Sequence, residues 1–203
     1  MAKLLLVRHG LTDLNAAFRF AGSLDSDLSP AGHRQIEKIR DRLVSEKIDA
    51  AFCSDLKRAR VSAEIITSGR NVAIKSYSEL REMNYGQVEG YTFNEINNCF
   101  PYTAASLINH DCKVKFPGGE CFTDLEARVR TFAGELKQFS SGQTVLIVSH
   151  GGPLRMLVCV LLEAGLDIWW KLRIDNASLT IIETFPNTAV LNLLNDTSHL
   201  SDL

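Results

Sequence analysis

Two stretches decide how this chain is read: Leu4-Leu5-Leu6-Val7-Arg8-His9-Gly10 near the amino end, and Thr144-Val145-Leu146-Ile147-Val148-Ser149-His150-Gly151-Gly152-Pro153 in the last third. Each opens with a short continuous apolar run and closes on a histidine followed by glycine. A strand covered on both faces has no polar side to show, so it reads as a solid apolar run rather than an alternation. Both stretches are therefore expected to be buried parallel strands that end at a histidine.

Working outward, strands and helices alternate. Ser29-Pro30 starts a helix in capping style, with Ile36, Ile39, Leu43 and Val44 at helical spacing through Glu46. Residues 50–53 read as a short strand, 56–67 as a helix and 72–74 as a weaker strand. From Gly86 to Gly119 the pattern breaks on polar Asn residues, Pro101, Pro117 and Gly118-Gly119, as expected of a small helical lid over a site, about residues 86–119. Residues 120–139 form an amphipathic helix with Leu125, Val129, Phe132 and Leu136 on one face, and 153–162 a nearly all-apolar one. Strands at 178–183 and 189–193 complete the sheet. The expected fold is a three-layer α/β/α arrangement, a mostly parallel central sheet with helices on both faces, in one domain over residues 1–203. Ligands of such sheets bind at the carboxyl ends of the strands, where both His-Gly junctions lie.

Composition narrows the function. The chain has 203 residues, 45% hydrophobic and 23% charged, within globular values and enough for a sizeable core. Its 22 basic and 24 acidic residues leave a net charge of −2 with no basic stretch interleaved with aromatics, which argues against a nucleic-acid partner. The five cysteines (Cys53, Cys99, Cys112, Cys121, Cys159) are odd in number, scattered and without C-x-x-C or Cys/His ligand spacing. A reduced, cytoplasmic setting and no metal site follow as expectations. No apolar run approaches the length of a membrane span or of a signal peptide's apolar region, so no membrane partner is expected.

A histidine after a buried strand, flanked by Arg8 and followed by Gly10, can present an imidazole nitrogen to a ligand while the backbone turns away. Arginine selects an anion. If that anion is a phosphate ester, neutral His9 can attack phosphorus in line while Arg8, Arg58 and His150 neutralise charge on the equatorial oxygens, and water then hydrolyses the phosphohistidine. The plainer alternative is a strand-end arginine beside a satisfied core histidine; two strand-terminal His-Gly pairs tilt the reading to function. Pro153 in the first turn of its helix sets up an amino end at Gly151 and Gly152 that offers free amides to an anion, or simply starts a helix.

The run Leu4-Leu5-Leu6-Val7-Arg8-His9-Gly10-Leu11-Thr12 followed by Asn15 resembles the signature of the histidine phosphatase (phosphoglycerate mutase-like) superfamily. Ser54-Asp55-Leu56-Lys57-Arg58-Ala59 resembles its second block, Glu79-Leu80-Arg81-Glu82-Met83-Asn84-Tyr85-Gly86 its acid block and Val148-Ser149-His150-Gly151-Gly152 its late histidine block, in the family's order. The resemblance implies that His9 is the phosphorylated nucleophile, that Arg8, Arg58 and His150 hold the phosphoryl group, and that Glu82 protonates the leaving oxygen and then activates water, with no cofactor or metal. Ester cleavage needs a proton donor in any case; otherwise Glu82 is a carboxylate paired with Arg81. Matching positions suggest a phosphate contact for the Asn15 amide and a close backbone approach at Gly22 in the loop before Asp25, beside the helix-end amide of Gly151, while Met83 and Tyr85, next to the acid, are candidates to line the pocket. The sequence departs from the family at Leu11, Ser62 and Cys121, none a charged catalytic group; Cys121 is either a redox-sensitive thiol at the pocket rim or a buried inert one.

The strings around Arg58 and Glu82, with Arg173-Ile174-Asp175, most resemble α-ribazole-5′-phosphate phosphatases of cobalamin assembly. Phosphoserine and broad-specificity phosphatases share nearly the same pattern. A cofactor-dependent phosphoglycerate mutase fits less well, because the interval from Glu82 to His150 is compact and a mutase must keep water from its phosphohistidine. A non-catalytic phosphate-binding module is opposed by the intact Glu82, and a metal-dependent phosphatase by the lack of Asp and His clusters. The expected partner is a small phosphorylated metabolite, with a homodimer possible through the segment near Trp169 or the last strands. Trp169-Trp170 is read as a packing pair under the sheet rather than a ligand platform, and His33, His110 and His199, the last in a frayed polar tail, as chemically idle.

Overall fold

The computed structural model describes residues 2–203. In chain order its elements are β1 (Ala2–Arg8), α1 (Asp13–Ala16), α2 (Pro30–Arg42), β2 (Ala50–Ser54), α3 (Lys57–Thr67), β3 (Ile74–Tyr77), α4 (Phe93–Cys99), α5 (Pro101–Ile108), α6 (Phe122–Glu135), β4 (Gln143–Ser149), α7 (Gly151–Leu161), α8 (Leu166–Trp169), β5 (Leu179–Phe185) and β6 (Thr188–Asp196). The described strands form one six-stranded sheet in the order β3-β2-β4-β1-β5-β6. β3, β2, β4 and β1 run parallel, while β5 and β6 are antiparallel additions on one side. The expected three-layer, mostly parallel arrangement is what the chain adopts.

The solid apolar runs are explained by what covers them. Leu4 and Leu6 of β1 and Val145 and Ile147 of β4 face a cluster shared with Leu125, Val129 and Phe132 of α6 and Leu154 of α7. Leu5, Val7, Leu146 and Val148 face the other way, against Ile36 and Ile39 of α2 and Ala59, Ala63 and Ile66 of α3. With each buried aliphatic side chain contributing about 1.5–3 kcal/mol, neither face of these strands can turn to water.

Boundaries differ from the sequence reading for local reasons. Ser29 caps α2 by accepting from the Gly32 amide at 3.1 Å, as expected. The helix ends at Arg42, short of Glu46, because Arg70 from beyond α3 takes the carbonyls of Leu43 and Glu46. β3 lies at Ile74–Tyr77 rather than 72–74, set by its register on β2 and by Tyr77 packing edge-to-face on Phe52 at 5.5 Å. α7 begins at Gly151, with His150 as its cap, two residues before the expected start at 153, and Pro153 lies in the first turn as expected. The tail is not frayed at His199, whose Nε2 lies 2.9 Å from the Ala177 carbonyl oxygen.

Residues 86–119 carry α4, capped by Thr92 with Glu95 in a reciprocal box, and α5. Ile96, Ala104, Val114 and Phe116 join the core on the α6 side, and two backbone hydrogen bonds, from the Phe20 amide to the Tyr91 carbonyl and from the Gly90 amide to the Phe20 carbonyl, tie this segment to the loop after α1. No helix among the described residues is long and apolar enough to cross a membrane.

Candidate active site

Because β1 and β4 are parallel neighbours with Arg8 opposite Ser149, the next residue on each strand, His9 and His150, emerges at the same level of the sheet. The His9 amide continues the ladder by donating to the Ser149 carbonyl at 3.0 Å. The two rings meet edge-to-face with centroids 4.9 Å apart, and both are buried.

Their hydrogen bonds assign opposite tautomers. His9 Nδ1 lies 2.7 Å from the Gly10 carbonyl, which can only accept, so Nδ1 carries the proton and Nε2 keeps a lone pair. Arg58 Nε donates to His150 Nδ1 at 3.2 Å, so the His150 proton is on Nε2, which is buried without a protein partner. Burial first, and the positive charge of Arg58 next, hold both rings well below the usual histidine pKa. At neutral pH the pair is one lone pair and one N–H.

Two guanidinium groups frame them. Arg58 is the largest fully buried side chain of the described residues; its Nη1 and Nη2 donate to the carbonyls of Leu24 and Gly22 at 2.7 and 2.8 Å. Arg8 donates Nη1 to the Ile174 carbonyl at 2.8 Å and leaves Nε buried without a partner. Burial lowers the pKa of both, and the nearby Glu82 carboxylate works against it. A site with two paired cations and neutral histidines is built for an anion.

Arg8, His9, Asn15, Gly22, Arg58, Glu82 and Tyr85 line one cavity of about 220 Å³. Asn15 Oδ1 accepts from Thr12 Oγ1 and Asn176 Nδ2 at 3.0 and 3.2 Å, which leaves its own amide hydrogens for a ligand. Glu82 is not paired with Arg81, which instead forks onto Asp55. The Glu82 Oε1 accepts from the Met83 and Gly152 amides at 2.9 and 3.1 Å. The Gly152 amide at the start of α7 therefore serves this carboxylate rather than a bound anion, a correction to the expected free amides. Gly151 lies outside the cavity, beside the Arg8 guanidinium, whose Cζ would be in ordinary contact with a Cβ there at 3.5 Å.

A second cavity of about 320 Å³ adjoins the first and shares Phe20 and Tyr85 with it. Met83 lines this one, with Phe116, Phe122, Trp169 and Trp170, and its single charged residue is Arg155. Trp169 packs in the core on the α6 side with Trp170 against it, as expected, and both also wall this cavity, which was not expected; His110 stacks on Trp170 at 4.9 Å. Arg155 Cζ sits 4.9 Å from the Trp169 ring centroid. Sequence reasoning missed Arg155, although a lone arginine in an otherwise apolar buried helix was a signal; Asn176, which donates to the His9 carbonyl at 3.1 Å, had none. Cys121 is neither buried nor on either cavity wall: at the start of α6 its amide and its thiol both donate to Asp124 Oδ2, each at 2.9 Å. A larger hollow, about 740 Å³ between Lys137 and Pro186, holds none of these groups.

Residues 4–197 match the histidine phosphatase superfamily (branch 1). The chain is 33% identical over 202 residues to phosphoserine phosphatase 1 of Hydrogenobacter thermophilus, covering 100% of this chain and 96% of that protein. It is 31% identical over 193 residues to the adenosylcobalamin/α-ribazole phosphatase of Salmonella typhimurium, covering 95% and 96%. The crystal structure of α-ribazole phosphatase from Shigella flexneri superposes with a TM-score of 0.88 at 28% identity, over 96% of each chain. A family match from the first strand to the last, joined by full-length relatives that are phosphatases, places the chain in branch 1 of the histidine phosphatase superfamily, as a phosphoric monoester hydrolase with the phosphoglycerate mutase-like fold.

Proposed function

We propose that the chain hydrolyses small phosphate monoesters through a phosphohistidine on His9. The observation that carries this reading is the opposed tautomers of His9 and His150 between two arginines. The His9 Nε2 lone pair attacks phosphorus as the ester P–O bond breaks, and Glu82 passes to the departing alkoxide the proton that the ester brings to it as a monoanion. The His150 Nε2–H, Arg8 and Arg58 face the charge on the equatorial oxygens. Glu82, now a carboxylate, takes a proton from water; the hydroxide bonds phosphorus, the P–N bond breaks, and neutral His9 and protonated Glu82 are restored. No step calls on a cofactor or metal.

For the alcohol, the reading is α-ribazole-5′-phosphate, a step of cobalamin nucleotide assembly in the cytoplasm. The apolar cavity beside Glu82, walled by Trp169, Trp170 and Phe122, suits a leaving group that carries a planar aromatic ring. Phosphoserine is the second reading, favoured by the similarity to a phosphoserine phosphatase over the full chain and by Arg155, which can pair a substrate carboxylate.

The test is phosphate release with chelator present from α-ribazole phosphate, phosphoserine, 3-phosphoglycerate and nitrophenyl phosphate, comparing wild type with His9→Ala. The expected outcome is turnover by wild type, none by His9→Ala, and a higher kcat/KM for α-ribazole phosphate. A clear preference for phosphoserine overturns the substrate assignment, and isomerisation of phosphoglycerate without release overturns the hydrolase mechanism.

A further inference from the structure

Glu82 stands on a piece of chain with neither helix nor strand of its own. Its backbone is held instead by side chains from elsewhere: Ser149 Oγ donates to the Leu80 carbonyl at 2.6 Å, and one guanidinium takes three carbonyls. Arg128, projecting from α6, donates Nη1 to the carbonyls of Glu79 and Arg81 at 2.7 and 2.6 Å, and Nη2 to the carbonyl of Glu82 at 3.1 Å. The same guanidinium forks onto Glu120 at 2.8 and 3.0 Å. Glu120 in turn accepts from the Asn84 amide at 2.9 Å and donates its own amide to the Asn84 carbonyl at 2.8 Å. The two side chains are only 17% and 22% exposed, so solvent competes weakly for these bonds.

We infer that Arg128 and Glu120 are positioning residues for proton transfer by Glu82, an inference that rests on reading Glu82 as the acid. The guanidinium grips the segment from one side while the Met83 and Gly152 amides grip the carboxylate from the other. The carboxyl group is thereby fixed relative to α7, and so to His9 and His150 at the adjacent strand ends. Glu120 closes residues 86–119, so the return of that segment to α6 and the placement of the acid are one hydrogen-bonded unit. Lysine at 128 keeps the charge but cannot serve a carboxylate and three carbonyls from one plane. Misplacing a reacting group by about 1 Å costs about 100-fold in rate.

The experiment compares kcat/KM for a primary alkyl phosphate with that for nitrophenyl phosphate, in wild type, Glu82→Gln, Arg128→Lys and Glu120→Gln. This parameter covers only the steps up to alcohol release, and nitrophenolate leaves without needing a proton. The alkyl-to-aryl ratio within one preparation is also independent of how much of the protein is folded. Glu82→Gln is expected to lower the ratio about 100-fold or more, the contribution of a general acid. Arg128→Lys is expected to lower it at least about tenfold, and Glu120→Gln in the same direction by less. If Glu82→Gln lowers the ratio and Arg128→Lys does not, the positioning role is overturned, whatever the absolute loss of activity. If Glu82→Gln itself leaves the ratio unchanged, Glu82 is not the proton donor and the inference falls with that reading.

Discussion

His9 and His150 are the same residue type at equivalent strand ends, yet one hydrogen bond each gives them different work: a carbonyl leaves His9 a lone pair, and a guanidinium leaves His150 a donor. The neutrality this needs has a thermodynamic signature. An unfolded histidine protonates near pH 6.5, whereas the folded rings do so only well below that. Between the two the unfolded chain binds more protons, so stability falls as pH drops below about 6.5, by up to about 3 kcal/mol per pH unit for two such groups. Denaturant unfolding between pH 7 and pH 5 should show this slope, and His9→Asn should remove about half of it. Gly152 offers a second check at this scale, since a Cβ there would lie 2.4 Å from Glu82 Oε1. Gly152→Ala should displace the carboxylate and depress alkyl phosphate turnover about 100-fold, measured as kcat/KM, with nitrophenyl phosphate less affected. The charged groups of the site were legible because arginine and histidine at the mouths of solid apolar strands have little structural excuse. The partners of Glu82 were not, because Gly152 and Arg128 reach it only after the chain has returned from far away in sequence.

At the scale of elements, the loop after β1 is shaped by how closely α2 comes to it. A Cβ on Gly32 would sit 2.1 Å from the Leu11 carbonyl oxygen, and one on Gly10 would sit 2.4 Å from the Gly32 carbonyl oxygen. These contacts are with backbone, which cannot swing aside, and the Ser29 amide and hydroxyl both donate to Leu11 at 2.9 and 3.1 Å across the same junction. Gly32→Ala should therefore cost about 2 kcal/mol or more in denaturant unfolding, far from the small gain expected of alanine in an open helix. The start of α2 was visible in Ser29-Pro30, since capping is a local matter. Its end was not, since Arg70 sets it, and the offset of β3 likewise depends on pairing with β2. Elements are thus predictable where their own residues decide them.

Across the whole molecule, β4 enters between β1 and β2, so the two histidine-bearing strands lie together in the middle of the sheet with helices on both faces. The cavity lined by Arg8, His9 and Arg58 opens at their ends, and the aromatic cavity adjoins it, assembled from the loop after α1, the lid, α6, α7 and the segment around α8. Solid apolar runs and alternation were enough to show the layered sheet; which lid side chains would face inward was beyond any periodicity. If the aromatic cavity holds the alcohol, Trp169→Ala should raise KM several-fold for an aromatic phosphate ester and leave glycerol phosphate nearly unchanged in the same steady-state assay. The chain has only two tryptophans, and both stand in that wall. Its tryptophan emission, excited selectively to the red of the tyrosine band, therefore originates beside the proposed alcohol site, so the unlabelled protein carries its own optical reporter of occupancy, readable in a titration that consumes no substrate when a non-hydrolysable analogue is used.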